Sequence, residues 1–313
     1  MRILKPKKLL KGDTIGLISP ASPPINESFI NSAINYLESL GYSVKLGKHV
    51  ANVNGYLAGT DKERADDLME MFADKNVKAI FTTRGGYGTP RLLDLIDYSV
   101  IRKNPKILVG MSDMTALQLA IFNKTKLITF AGPMFATDLF SNLQKETEDF
   151  FWKILTSSKK IGKIKNLNEE KFYILNKGRS EGRILGGNLS MIVSLLGTGY
   201  LPSFKNSIFL LEEIGEQPYR IDRMFNQLRL SGIFNKIEGV VLGRFVDCYE
   251  KNSKKNTLTL NEIIVDYLNK IKIPVLYNLK HGHIAQILTI PLGLNTKLNA
   301  SRGTLEITEA AVV

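Results

Sequence analysis

Lys106-Ile107-Leu108-Val109-Gly110-Met111-Ser112-Asp113-Met114-Thr115 carries a short apolar run through a glycine and a serine into a helical pattern that continues at Ala116, Leu117, Leu119, Ala120 and Ile121. An unbroken apolar run suits a strand buried on both faces, as in a parallel sheet covered by helices. The stretches around it repeat the theme. Working outward, β-rich runs at Thr14–Ile18, Ser43–Leu46, Val77–Thr83, Lys106–Val109 and Lys126–Phe130 alternate with helical patterns at 28–40, 60–73, 90–97 and 113–123. Strict β/α alternation predicts an α/β fold with a Rossmann-like parallel sheet at the N-terminal end. The helix readings have local causes. Phe29, Ile30, Ala33, Ile34, Leu37 and Leu40 form one apolar stripe closed by Gly41, Thr60 and Glu63 can form a capping box, and Pro90 fits a first helical turn capped by Thr89.

A helical pattern at 145–156 is followed by 157–170, rich in Lys, Ser, Gly and Asn and without periodicity, where a linker is expected. The 313 residues then divide into a nucleophile-bearing N-terminal α/β domain (1–156), the linker (157–170) and a mixed α/β C-terminal domain (171–313). In the latter, strands are expected at 172–175, 207–212, 238–243, 274–277, 286–290 and 304–307, with helices at 188–196, 218–230 and 260–270.

The composition, 44% hydrophobic and 23% charged, is that of a chain that folds rather than a disordered one. A single cysteine, Cys248, excludes an internal disulfide framework and Cys-based zinc sites, and fits a reducing compartment. No signal peptide or membrane span is visible, so the expected address is the cytoplasm. The net charge of +12 comes from lysines spread from Lys5 to Lys297, not from a basic stripe interleaved with aromatics. Neither nucleic acid nor membrane is expected as a partner, and the charge leaves a mild attraction for anionic small molecules.

Four groups could carry chemistry. Ser112 follows a strand and opens a helix, so its hydroxyl would stand above the sheet edge, with the next N–H and the helix N-terminus beside any oxyanion; the alternative is that Ser112 or Asp113 caps the helix. The second glycine of a G-x-S-x-G elbow is missing. Arg84-Gly85-Gly86-Tyr87-Gly88 follows the preceding strand, and its glycines let backbone approach a ligand; it reads otherwise as a tight turn, and it matches no phosphate-loop pattern. A serine nucleophile needs a base, and the chain has only His49, His281 and His283. The glycine-flanked turn Lys280-His281-Gly282-His283 could bring His283 into a cleft, while His49 reads as a structural residue. The acidic end of the apolar run Phe209-Leu210-Leu211-Glu212-Glu213 could supply the carboxylate that holds the imidazole. His281-x-His283 is the one candidate pair for a metal and lacks supporting ligands, so neither metal nor cofactor is expected.

In this order and spacing the chain resembles the serine LD-carboxypeptidases that act on muropeptides, together with their relatives in self-immunity to microcin C. The resemblance runs nearly end to end. It rests on Gly12-Asp13-Thr14-Ile15-Gly16 with Ser19-Pro20-Ala21-Ser22-Pro23, Arg84-Gly85-Gly86-Tyr87-Gly88, Gly110-Met111-Ser112-Asp113-Met114-Thr115, Gly186-Gly187-Asn188-Leu189-Ser190, Leu211-Glu212-Glu213 with Glu216-x-Pro218-Tyr219-Arg220-Ile221-Asp222-Arg223, and Gly282-His283 with Pro291-Leu292-Gly293. It implies a catalytic triad of Ser112, Glu212 and His283 and an oxyanion hole of the Gly86 and Asp113 N–H groups. It also implies an active site between two domains, a homodimer, and a murein tetrapeptide substrate that loses terminal D-Ala in cytoplasmic wall recycling. Met111 stands where an aromatic is frequent and Glu213 where Asp is common. Arg84 or Arg220 is expected to pair with a substrate carboxylate, since an exopeptidase must recognise a terminal charge, and Tyr87 lies in the same loop as Arg84. Two competing readings are a microcin-type hydrolase of peptidyl or aminoacyl nucleotides and a non-catalytic two-domain protein that binds a small ligand.

Overall fold

The structure, a computed structural model, describes residues 2–137, 143–166, 170–252 and 256–313. Five strands, β1 (Thr14–Ile18), β2 (Ser43–Leu46), β3 (Val77–Thr82), β4 (Ile107–Gly110) and β5 (Thr129–Ala131), run parallel in the order β5-β4-β3-β1-β2. Among the helices joining them are α1 (Glu27–Ser39), α2 (Asp61–Ala73), α3 (Tyr98–Lys103) and α4 (Met114–Thr125), with α5 (Lys145–Thr156) following. In β4 every residue is buried, as a central parallel strand requires. Thr60 accepts from Glu63 N while Glu63 reaches back to Thr60 N, so the capping box that opens α2 forms as the spacing predicts.

The second sheet has the order β6-β14-β13-β8-β9-β10-β11-β7. Its strands are β6 (Gly162–Ile164), β7 (Tyr173–Asn176), β8 (Arg179–Asn188), β9 (Ser207–Ile214), β10 (Gly239–Val246), β11 (Val275–Tyr277), β13 (Asn295–Asn299) and β14 (Thr304–Ile307). The inner four, β8 to β11, are parallel, and the flanking strands pair antiparallel to them. Helices α6 (Leu189–Ser194), α7 (Pro218–Leu230) and α8 (Leu260–Leu268) belong to this half. The fold is therefore a two-domain α/β architecture with parallel strands in the N-terminal sheet and a mixed second sheet.

The two sheets share one hydrophobic core. Helix α4 is buried on every side from Met114 to Phe122, because second-sheet elements cover the face that the first sheet leaves open. The chain also returns: β12 (Ile290–Leu292) pairs antiparallel with β5 at the edge of the first sheet, where Pro291 costs no ladder bond on a further neighbour. The strand expected at 286–290 thus lies further on. Within 157–170, β6 pairs with β14, and residues 167–169 of that stretch lie outside the described residues, as do 253–255 of the lysine cluster at 251–255.

The helix expected over 90–97 is instead a single 3-10 turn, Thr89–Leu92, followed by α3 with Asp97 as its cap. Thr89 is not a cap. Its hydroxyl donates to Asp113 O at 2.6 Å and its N–H to Asp113 Oδ2 at 2.7 Å, so a tertiary partner takes both groups.

Candidate active site

Between β4 and α4 the chain turns through Ser112 with φ +64°, a left-handed backbone conformation that costs a non-glycine residue about 1–3 kcal/mol. The turn is held by Met114 N to Met111 O (3.2 Å) and Thr115 N to Ser112 O (2.9 Å), and the Ser112 side chain is left half-buried at the end of the strand. A capping role for Asp113 is not what the structure has. Asp113 stands at the N-cap of α4 but makes no side-chain cap bond, and its Oδ2 is engaged by Thr89.

The glycine loop after β3 reaches the same place, since a Cβ added at Gly85 would stand 2.9 Å from Ser112 Cβ. Ser22 fixes the loop from the other side: its N–H donates to Gly85 O at 3.1 Å and its Oγ accepts from Tyr87 N at 3.2 Å. Among the described residues neither the Gly86 nor the Asp113 N–H donates to a protein acceptor. Two backbone donors beside a serine are what a developing oxyanion needs. Arg84 is half-buried with Nη1 donating to Pro23 O at 3.1 Å, and Tyr87 is exposed, its ring 5.9 Å from that of Tyr56.

The second sheet contributes from the corresponding ends of its parallel strands. Near the end of β9 Glu212 is 1% exposed, and its Oε2 lies 2.8 Å from His283 Nδ1. A buried carboxylate accepts at this distance, so Nδ1 carries the hydrogen and Nε2 presents its lone pair. Burial lowers the His283 pKa, but the hydrogen bond and charge of Glu212, with the charge of Glu213, outweigh it and raise the imidazole above its ordinary value. Glu213 turns the other way along the strand, accepting from Asn188 Nδ2, Ser190 N and Ser190 Oγ at 2.8, 2.8 and 2.6 Å; burial raises its pKa.

The halves are stitched beside the serine. Asn188 N donates to Thr115 Oγ1 at 3.0 Å, and Asn188 is the register partner of Glu212. A chain of direct contacts therefore runs from the first turn of α4 through Asn188 and Glu212 to His283. Among the described residues the Ser112 hydroxyl and the imidazole share no hydrogen bond; in unliganded enzymes that bond is often long and tightens with substrate.

The other histidines are elsewhere engaged. His281 is fully buried with Nδ1 2.9 Å from Leu288 O, and burial lowers its pKa; His49 lies 3.2 Å from Asn52 Nδ2 and 3.6 Å from Glu63 Oε1. Arg220, in the first turn of α7, is exposed, 3.4 Å from Glu216 and stacked near Tyr219. Among the described residues no group of three or more His, Cys, Asp or Glu side chains could hold a metal ion. The contacts of Ser22, Thr89 and Thr115 are tertiary, and the sequence does not disclose them: Thr89 reads there as a helix cap, and Ser22 and Thr115 only as members of longer stretches.

A serine at a strained strand-to-helix turn and a histidine held by a buried carboxylate are the elements from which serine hydrolases build their sites. Residues 15–132 match the LD-carboxypeptidase N-terminal domain and residues 181–298 the LD-carboxypeptidase C-terminal domain, so the chain belongs to the LD-carboxypeptidase family, a family of serine peptidases. It is 39% identical to the probable murein peptide carboxypeptidase of Bacillus subtilis, across 98% of this chain and 95% of that one. It is also 31% identical to the microcin C7 self-immunity protein MccF of Escherichia coli, across 96% of this chain and 94% of that one. Among solved structures, the muramoyltetrapeptide carboxypeptidase of Oxalobacter formigenes superposes with a TM-score of 0.81 at 30% identity, covering 94% of this chain and 97% of that one.

Proposed function

We propose that the protein is a serine LD-carboxypeptidase that releases the terminal D-Ala of a murein tetrapeptide, with Ser112, Glu212 and His283 as its triad. The observation that carries this is the buried Glu212–His283 hydrogen bond of 2.8 Å, tied to the helix that follows Ser112 through Asn188, the register partner of Glu212 and the donor to Thr115 Oγ1. Ser112 Oγ attacks the carbonyl carbon of the amide between the L-centre of the third residue and D-Ala, and His283 Nε2 takes the hydroxyl proton. The oxyanion is met by the Gly86 and Asp113 N–H groups, each such donor typically supplying about 2.7–4 kcal/mol. As the tetrahedral intermediate collapses, the C–N bond breaks and Nε2 returns the proton to the departing amine, leaving an ester on Ser112. Water then attacks that ester and gives a proton to Nε2; the bond between the acyl carbon and Ser112 Oγ breaks as Nε2 returns that proton to Oγ, and the tripeptide carboxylate leaves.

The substrate's terminal carboxylate is assigned to Arg84 or Arg220, with Tyr87 at the rim of the same loop; unchanged KM and kcat in both Arg84→Ala and Arg220→Ala would remove that assignment. The buried, unpaired Cys248 and the absence, among the described residues, of a helix long and apolar enough to cross a membrane are compatible with a cytoplasmic enzyme. A homodimer is the assembly proposed from the family resemblance, and sedimentation measures it. The similarity to MccF supports a second reading, hydrolysis of a peptidyl or aminoacyl nucleotide.

The test is D-Ala release from L-Ala–γ-D-Glu–meso-diaminopimelate–D-Ala by the protein and by Ser112→Ala. Release by the wild type alone establishes reaction and nucleophile together. Release by neither, with cleavage of a peptidyl adenylate, transfers the assignment to the second reading, and inactivity toward both leaves a binding protein.

A further inference from the structure

Behind the glycine loop lies a cluster of charges that takes no part in the bond-making above. Arg64 of α2 is a buried cation, 1% exposed, whose Nη1 donates to Pro20 O at 2.6 Å and to Gly88 O at 3.0 Å. Its Nη2 pairs with Asp61, which is also held by Arg91 through Nε at 2.8 Å and Nη2 at 2.9 Å. Beyond the end of the loop, the Asp113 carboxylate is likewise 1% exposed and accepts from Thr89 N at 2.7 Å, while Thr89 Oγ1 donates to Asp113 O at 2.6 Å. Burial raises the Asp113 pKa, and the hydrogen bonds from Thr89 and Gly88 and the nearby Arg64 charge oppose that shift.

Burying an ion costs several kcal/mol after relaxation, so the buried Arg64 and Asp113 are weak sources of stability, and what their side chains visibly do is fix neighbouring backbone groups. The geometry here is specific. One proposed oxyanion donor, Gly86, sits in a loop whose glycines at 85, 86 and 88 leave only Arg84, bonded to Pro23 O, and Tyr87 to anchor it by side chain. The other donor is the N–H of Asp113, on a different strand-to-helix turn. Arg64 grips the loop at Gly88 and, through Pro20, the segment that carries Ser22; Asp113 grips the residue after the loop with its side chain, while its own N–H donates to no described protein acceptor.

We propose that Thr89, the Asp113 carboxylate and Arg64 are positioning residues that set the separation of the Gly86 and Asp113 N–H groups, and so tune the oxyanion hole rather than substrate binding. This rests on the reading of Ser112 as nucleophile. A donor displaced by about 1 Å costs about 100-fold in rate, so loss of the clamp acts on kcat.

The experiment measures kcat and KM for D-Ala release, the rate of inactivation by a serine-reactive phosphonate, and the melting temperature, for wild type, Asp113→Ala, Asp113→Asn, Arg64→Lys and Thr89→Val. Ser112→Ala runs alongside. The expected result is a fall of about 10–100-fold in kcat and in phosphonate inactivation for Asp113→Ala and Arg64→Lys, with KM within about twofold and a smaller loss in Asp113→Asn, whose amide oxygen can still accept from Thr89 N. Thr89→Val, which deletes one hydroxyl and little volume, covers the case in which the charged variants do not fold, and is expected to lose kcat at unchanged KM. Wild-type kcat in the folded variants, or a rise in KM at constant kcat, overturns the inference. An active Ser112→Ala would instead overturn the assignment of the nucleophile, so the two failures are told apart.

Discussion

Replacing Glu212 by Gln removes one charge and leaves the shape of the site almost intact. Glu212 is 1% exposed and its Oε2 is 2.8 Å from His283 Nδ1, so bulk solvent does not reach the carboxylate that the substitution removes. Two things change. The imidazolium formed when Ser112 gives up its proton loses its counter-charge, and the Gln amide can donate to Nδ1, which would put the hydrogen on Nε2 and block it as a base. The corresponding change in a Ser-His-Asp enzyme costs about 10⁴ in kcat, and a loss of about 10³–10⁴, or about 4–5.5 kcal/mol, is expected here. The pH profile carries a second, independent signature. In the wild type burial lowers the His283 pKa and Glu212, through its hydrogen bond and charge, raises it, with help from Glu213. Glu212→Gln deletes the Glu212 contributions and keeps the burial, so His283 loses its proton at lower pH and the acid limb of kcat/KM moves down. Steady-state D-Ala release between pH 5 and pH 9 reads both. A plateau within tenfold of the wild type, or an acid limb that moves up, refutes the role given to Glu212.

Three further expectations follow from the same geometry. For the wild type, His283 must be neutral to accept the Ser112 proton and its pKa is raised above 6.5, so activity should fall on acidification with an apparent pKa above that value; a limb well below 6.5 contradicts the assignment. Gly86→Ala should lose about 100-fold or more in kcat, because φ is +100° and the new Cβ would stand 2.2 Å from Ser22 Oγ; an enzyme within threefold of wild type shows that the loop yields freely. Thr60→Ala breaks the capping box of α2 and should lower stability by about 1 kcal/mol, a shift of about 2–4 °C in calorimetry, with kcat unaltered.

How much of this the sequence discloses depends on whether local chemistry decides the local structure. It does in β1 and β2, whose bounds agree residue for residue with the β-rich runs, and in α2, where the capping box is complete within four residues. It fails in β8, Arg-Ser-Glu-Gly-Arg-Ile-Leu-Gly-Gly-Asn, where a charged first half and a glycine pair conceal the strand that borders β9, and in β13, where only Thr296 and Leu298 face inward. The site divides in the same way. Ser112, Glu212 and His283 each stand at a strand end or a glycine-flanked turn, so they can be singled out one at a time, although the Glu212–His283 bond spans 71 positions. Arg64 has no such mark. A charged residue on a helix reads as a solvated one, and only the tertiary fold shows it buried beneath Gly88.

The turn at Ser112, the proposed nucleophile, lacks the second glycine of the elbow pattern, and the structure shows what takes that glycine's place. The pattern exists because strand and helix approach so closely at the turn that side chains on both sides of the serine must be small. Here the position two after the nucleophile is Met114, fully buried, and the space it fills is opened two residues before the serine: a Cβ on Gly110 would stand 2.8 Å from Met114 Cγ. One glycine on the strand side therefore makes room for a large residue on the helix side. The left-handed φ of Ser112 is then braced from outside, by Thr89 on Asp113 and by Thr115 on Asn188, rather than by a second flexible residue within the turn. That trade ties the backbone at Ser112 to both sheets, and it is why the residues that hold the turn lie 23 positions upstream and 76 downstream of Ser112, beyond the reach of any short motif.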